Sequence, residues 1–275
     1  MLSMNKYQKF LFSYVVLLLA YWVLLAFSAQ KTSFWNYFFS FAFSLIPLLG
    51  GLVGCYLSSG WGGLKSALGR GIFFISLGHF MWGAGSMIWS YYNFFESISA
   101  PYPSLADIGF VASLPLWVVG IVNISKAAGA GFGLRNKKGK SLLLILPLLV
   151  IFISYYLLVV VARGGTLISS PDHFDLKFLL DMAYPAGDVV ILTASLLVYG
   201  LSSKFLGGTY KSSILFILLG FSVMYLADFI FSYTTTVETF FNGDFGDLVF
   251  CLALATILFG VFSFDKNKHV AGSQT

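Results

Sequence analysis

Apolar positions run along this chain in long unbroken blocks, not in the alternation of a strand or the one-sided stripe of a soluble helix. Eight such blocks, each about 20 residues long, are separated by short polar breaks, and each could cross a bilayer as a helix. The pattern predicts helices over 10–29, 34–57, 71–95, 104–125, 141–162, 175–201, 212–235 and 243–264. The expectation is an all-α integral membrane protein, with one polytopic domain over 1–265 and a short tail, 266–275.

The first block follows Lys6 and Lys9 and ends at Ala26-Phe27-Ser28, a small-x-small trio of the kind that precedes a cleavage site. Its 18 apolar residues exceed the roughly 7–15 of a signal peptide, so a retained first helix is expected.

Composition agrees. Of 275 residues, 58% are hydrophobic and 10% charged, against about a quarter charged in soluble domains. The longest polar loop, 126–140, is too short to fold alone. The net charge of +5 therefore reads as a topology signal and not as a nucleic-acid surface. Cys55 and Cys251 lie inside apolar blocks with no CxxC spacing, which argues against a disulfide or zinc framework.

The basic residues sort to one side of this pattern. Lys6, Lys9, Lys65, Arg70, Lys126, Arg135, Lys137, Lys138, Lys140, Lys204, Lys211, Lys266 and Lys268, 13 of 16, fall on the side of the termini. Lys31, Arg163 and Lys177 fall on the other. The positive-inside rule then puts both termini in the cytoplasm. The acids sort oppositely, with Asp265 alone on the cytoplasmic side. Glu96, Asp172, Asp175 and Glu238 read as a solvated outer rim.

A repeat is visible at an offset of 142 residues: Leu77-Gly-His-Phe-Met-Trp82 leads to Trp89-Ser-Tyr-Tyr92, and Leu219-Gly-Phe-Ser-Val-Met224 leads to Phe231-Ser-Tyr-Thr234. A short outer loop and an acid-bearing helix follow each copy. Two parallel four-helix halves, blocks 1–4 and 5–8, are expected.

Four of the six remaining acids fall in related strings: Pro101-Tyr-Pro-Ser-Leu-Ala-Asp107, Tyr184-Pro185-Ala-Gly-Asp188 and Asn242-Gly-Asp244-Phe-Gly-Asp247. Helical spacing puts Asp181, Tyr184, Pro185 and Asp188 on one stripe of the sixth block. Pro185 also leaves the Asp181 carbonyl without its amide, a break tolerated in a membrane only against protein or water. Tyr225, Asp228 and Ser232 share a stripe of the seventh block, as do His79, Trp82, Ser86, Trp89 and Asn93 of the third. Asp244, Asp247 and Cys251 share one of the eighth.

At about 1.5 Å per residue from the cytoplasmic ends, Asp188 lies roughly 20 Å up, Asp228 roughly 24 Å, and Asp107 and Asp247 about 27 Å. Intramembrane acids are costly and mark functional sites by default. The expected site is an outward funnel lined by Asp107, Asp188, Asp228 and Asp247, walled by Tyr184, Tyr225 and Trp89, with His79, Asp181 and Ser86 as a further network. Asp107, Asp244 and Asp247 read equally well as first-turn acids at helix N-termini. His79 fits a hydrogen-bonded core position as well as a ligand.

The order of Trp82 to Tyr92, PYPSLAD, AYPAGD and YLAD resembles the multi-helix membrane region at the N-terminus of many bacterial diguanylate cyclases of the GGDEF class and related signalling proteins. Pro103, Asp107, Tyr184, Pro185, Asp188 and Asp228 carry the resemblance, which covers blocks 3–4 and 6–8. It departs at Gly85-Ser86, where the family often has an acid. It implies the input half of a receptor, here without an output domain.

Three functions remain open. The first is a non-enzymatic membrane sensor or ligand-binding subunit. Acids and aromatic faces suit a cationic ligand or protons, and the signal would pass to a cytoplasmic or membrane partner. The second is a carboxylate-dependent lipid hydrolase resembling lysoplasmalogenases. The third is an ion- or proton-coupled transporter. No catalytic residue, metal or cofactor is expected. No lysine lies mid-block for a retinal Schiff base, one intramembrane histidine cannot ligate haem twice, and the glycines of 60–63 and 129–133 form flexible linkers without the phosphate-loop pattern. Asn123-Ile-Ser125 matches a glycosylation acceptor, but on the cytoplasmic side.

Overall fold

The computed structural model describes residues 4–96, 101–166, 175–202 and 210–265. The chain forms α1 (Lys6–Ala26), α2 (Phe34–Ser59), α3 (Ala67–Tyr91), α4 (Ala106–Ala127), a short α5 (Ala130–Gly133), α6 (Lys137–Ser154), α7 (Leu176–Ser202), α8 (Lys211–Thr236) and α9 (Phe245–Phe262). Wider π-helical turns extend α3 over Tyr92–Glu96 and α6 over Tyr155–Val161. Among the described residues there is no strand, and eight of the helices are long and apolar enough to cross a membrane. The chain is an all-α integral membrane protein. Asp172, Lys204 and the tail 266–275 lie outside the described residues.

Helix starts follow local chemistry. Asn5 and Gln8 form a reciprocal capping box on α1, at 2.9 and 3.2 Å. Asn136 caps α6 through the Gly139 amide at 2.7 Å, and Asp244 caps α9 through the Asp247 amide at 3.0 Å. α6 therefore begins in the basic loop, four residues before the first apolar position expected of it. The two glycine-rich stretches are not plain linkers. Gly62 and Gly129 adopt left-handed φ of 87° and 71°, which stop one helix and let a short one restart at Gly63–Lys65 and at Ala130–Gly133.

The start of α1 and the end of α9 lie at one end of the bundle, where the Asn5 side chain donates to the Phe262 carbonyl at 2.5 Å and Gln8 to Ser263 Oγ at 2.7 Å. At the far end, Trp22 Nε1 donates to the Asp244 carbonyl at 3.1 Å. α9 is central, with 78% of its apolar window buried against 17% for α1. The exposed Phe10, Leu17 and Leu24 of α1, and Leu144, Leu148 and Phe152 of α6, form outward apolar faces suited to lipid.

Two helix crossings repeat with an offset of 140–142 residues. A Cβ on Gly120 of α4 would come 2.5 Å from Ile75 Cγ1 of α3, and one on Gly260 of α9 would come 2.8 Å from Ile217 Cγ1 of α8. Only glycine lets these backbones approach so closely. α7 packs on α4, and α2 packs on α9. The α2–α3 seam is closed by Gly51, which abuts the Ser76 carbonyl and the Phe80 amide. The α7–α8 seam carries acids instead.

Candidate functional site

The stripe expected on α7 faces α4, α6 and α8. At its inner end, the Asp188 carboxyl is hydrogen-bonded to the Asp228 carboxyl of α8. An ionised carboxylate only accepts, so a hydrogen bond between these two acids requires a proton on one of them. Protein atoms crowd both groups, yet both residues keep accessible surface. Beside them, Tyr225 OH donates to Ser154 Oγ at 2.9 Å, at the point where α6 passes into its π-helical turn.

One turn outward, Tyr184 OH donates to Asp107 Oδ1 at 2.5 Å, and the charges of Asp107 and Asp228 both act on it. The other Asp107 oxygen accepts the Ser104 amide at 2.7 Å. Asp107 is thus a first-turn acid of α4 and a partner of α7 at once. Farther out, Tyr102 OH donates to Asp181 Oδ1 at 2.9 Å. Burial, then the bond to Asp181 and its charge, hold the Tyr102 phenol above its ordinary range.

Arg163 closes this cluster. Its guanidinium donates to the Asp181 carbonyl at 3.1 Å and to Ser232 Oγ at 3.2 Å, and its charge reaches Asp188. Reading the sequence alone leaves Arg163 in an outer loop, with no cation at the depth of the acid pair. Its backbone does stand in that loop, directly after the π-helical segment, and its side chain reaches back to α7 and α8. Tyr102, Ser154 and Ser232 were also missed as partners. The available signals were that Arg163 is one of three cations on the acid-rich side, and that Tyr102 belongs to the PYPSLAD string.

Asp247 and Trp89 belong to a second network. Asp247 accepts Ser40 Oγ of α2 at 2.7 Å and the Gly243 amide at 2.6 Å. Trp89 Nε1 donates to Asn242 Oδ1 at 3.0 Å, and Asn93 Nδ2 to the same oxygen at 3.2 Å. Trp89 also packs on Phe231 and Phe240. The expected single funnel thus resolves into an acid cluster on α4, α7 and α8 and a separate buried network around the start of α9. Burial, partly offset by the Asp247 and Gly246 amides, holds the Asp244 carboxyl above its ordinary range.

His79 is fully buried, with Nδ1 3.1 Å from Trp117 Nε1 and 2.8 Å from the Ile75 carbonyl. Ser86 is buried, and its carbonyl accepts Ser90 Oγ at 2.9 Å. Both belong to the packing of the α3 face. Among the described residues, no three His, Cys, Asp or Glu side chains converge as metal ligands do.

No family model, curated protein or solved structure matches this chain.

Proposed function

We propose that this chain is a membrane ligand-binding protein of the sensor type, whose site is the Asp188–Asp228 pair. Its ligand is a proton or a small organic cation entering past Tyr184, Asp107 and Asp181. The observation that carries the reading is the carboxyl–carboxyl contact between two intramembrane acids that keep accessible surface. A purely structural pair would be sealed like Asp247. A cation entering the site would displace the shared proton by favouring two carboxylates. Tyr184 and Tyr225 offer ring faces beside it.

The same reading places the acid cluster toward the outside and both termini in the cytoplasm, on the 13-to-3 division of basic residues. It includes a signalling partner at the terminus-bearing end. The motif order resembling receptor input regions supports it. So do the crossings at Gly120 and Gly260, which fit two parallel halves with the acid pair in the second only.

The test is purified protein titrated with spermidine and ethylammonium and, separately, incubated with lysolipids. Saturable amine binding with proton release, lost in Asp188→Asn, supports the sensor reading. Lysolipid turnover by the wild type, lost in Asp188→Asn while lysolipid binding survives, replaces it with a hydrolase. Neither activity leaves the pair a structural contact and removes the proposal.

A further inference from the structure

A cleft of about 580 Å³ opens between the last turns of α4 and α7 and the short helix α5, at the terminus-bearing end. It is remote from the acid cluster and independent of it. Its floor is apolar, formed by the buried Ile121, Val198 and Leu201. Its rim carries Lys126 and Arg135, both exposed, and among the described residues no acidic side chain lines it. The Arg135 guanidinium lies over the Phe132 ring, 5.0 Å from its centroid, and Phe132 is itself 53% exposed. Lys137, Lys138 and Lys140, also exposed, follow at once in α6.

Three properties coincide here. The cations stand where the transmembrane helices end, at headgroup level. The apolar floor runs along α7 from Ala194 to Leu201, roughly 10 Å at 1.5 Å per residue. The positive-inside rule assigns this end to the cytoplasmic leaflet, whose anionic lipids attract basic juxtamembrane residues. A soluble anion would use the cations and leave the floor empty. A zwitterionic lipid would use the floor and gain little from two cations without an acid between them.

We propose that this cleft binds one anionic phospholipid. Its phosphate sits between Lys126 and Arg135, and the first carbons of an acyl chain lie against Ile121, Val198 and Leu201. Phe132 covers the glycerol region and holds Arg135 in place by its ring face.

The test uses the full chain in a neutral detergent, with native mass spectrometry and thermal unfolding as readouts. The probes are phosphatidylglycerol, phosphatidylcholine and water-soluble glycerophosphate. Phosphatidylglycerol should bind one to one and raise the unfolding temperature, and the other two should not at the same concentration. Lys126→Gln with Arg135→Gln should weaken that binding by about tenfold or more. Lys137→Gln with Lys138→Gln, outside the lining, should leave it within about twofold, because exposed charges that do not touch the phosphate act on it only through screening solvent. Both pairs are exposed, so folding is not at stake. Equal binding of phosphatidylcholine, an equal effect of glycerophosphate, unchanged binding in the rim variant, or equal loss in the control would each overturn the proposal.

Discussion

The Arg163 guanidinium donates to the main-chain carbonyl of Asp181 at 3.1 Å, and this is the carbonyl that Pro185 deprives of its amide four residues on. A break inside a membrane helix is therefore answered by a cation from the end of the preceding one. The same cation acts on Asp188, two turns along the helix. The proline, the arginine and the acid pair form one arrangement: the opened turn gives Arg163 an anchor, and the anchored charge sits beside the acids without neutralising both.

This relationship is open to a double-mutant cycle. Arg163→Gln should destabilise the wild type by about 1.5–3 kcal/mol, the range for hydrogen bonds to a charged group. Pro185→Ala restores an amide for the Asp181 carbonyl. In that background the same Arg163 change should be milder by about 1 kcal/mol. Unfolding in detergent measures all four chains. Strict additivity would mean that Arg163 acts through Ser232 and the acids alone.

Two hydroxyl–carboxylate contacts give a second check. Tyr184 of α7 donates to Asp107 at the start of α4, and Ser40 of α2 donates to Asp247 at the start of α9. Each thus ties together two helices distant in sequence. Tyr184→Phe and Ser40→Ala should each lower stability by about 1–2 kcal/mol. Only Tyr184→Phe should also alter amine binding. Loss of amine binding in Ser40→Ala would join the two networks that the structure separates.

Asp244 supplies a pH-dependent term. Burial holds its folded-state pKa above the unfolded value, so its contribution to stability falls as pH rises from about 4 through the folded pKa. Asp244→Asn keeps a good N-cap without the charge, so its stability should vary less over that window. Asp244→Ala removes the cap and should cost about 1 kcal/mol at every pH. Melting curves across the window distinguish the two.

Much of the acid cluster is legible in the sequence. The i, i+3, i+4, i+7 spacing from Asp181 to Asp188 puts those residues on one face, and depth alone singles out Asp188 and Asp228. Neighbours across helices are less legible. Asp107 and Asp247 sit in similar strings at similar depth, yet one meets Tyr184 and the other Ser40. The reason is that α9 is central and lies against α2, which helical periodicity cannot express. Arg163 was out of reach because its backbone stands in the expected loop after the helix, and only its long side chain reaches back to Asp181 and Ser232, which spacing cannot express. The glycine stretches were misread because left-handed positions restart helices as readily as they end them.

Orientation can be tested at two exposed positions. In a background without Cys55 and Cys251, an impermeant thiol reagent added to intact cells should label Thr239→Cys and miss Asn136→Cys. Reversed labelling would place the acid cluster toward the cytoplasm and the basic cleft outside.

The proposed sharing of a proton by Asp188 and Asp228 is tested most directly by infrared difference spectroscopy of the carboxyl carbonyl stretch when spermidine is added at neutral pH. The wild type should lose a protonated-carboxyl band as the amine displaces the proton, and that change should vanish in Asp188→Asn and in Asp228→Asn. A wild-type spectrum with no loss of a protonated carboxyl, or a loss that persists in both variants, would contradict a proton-sharing cation site at this pair.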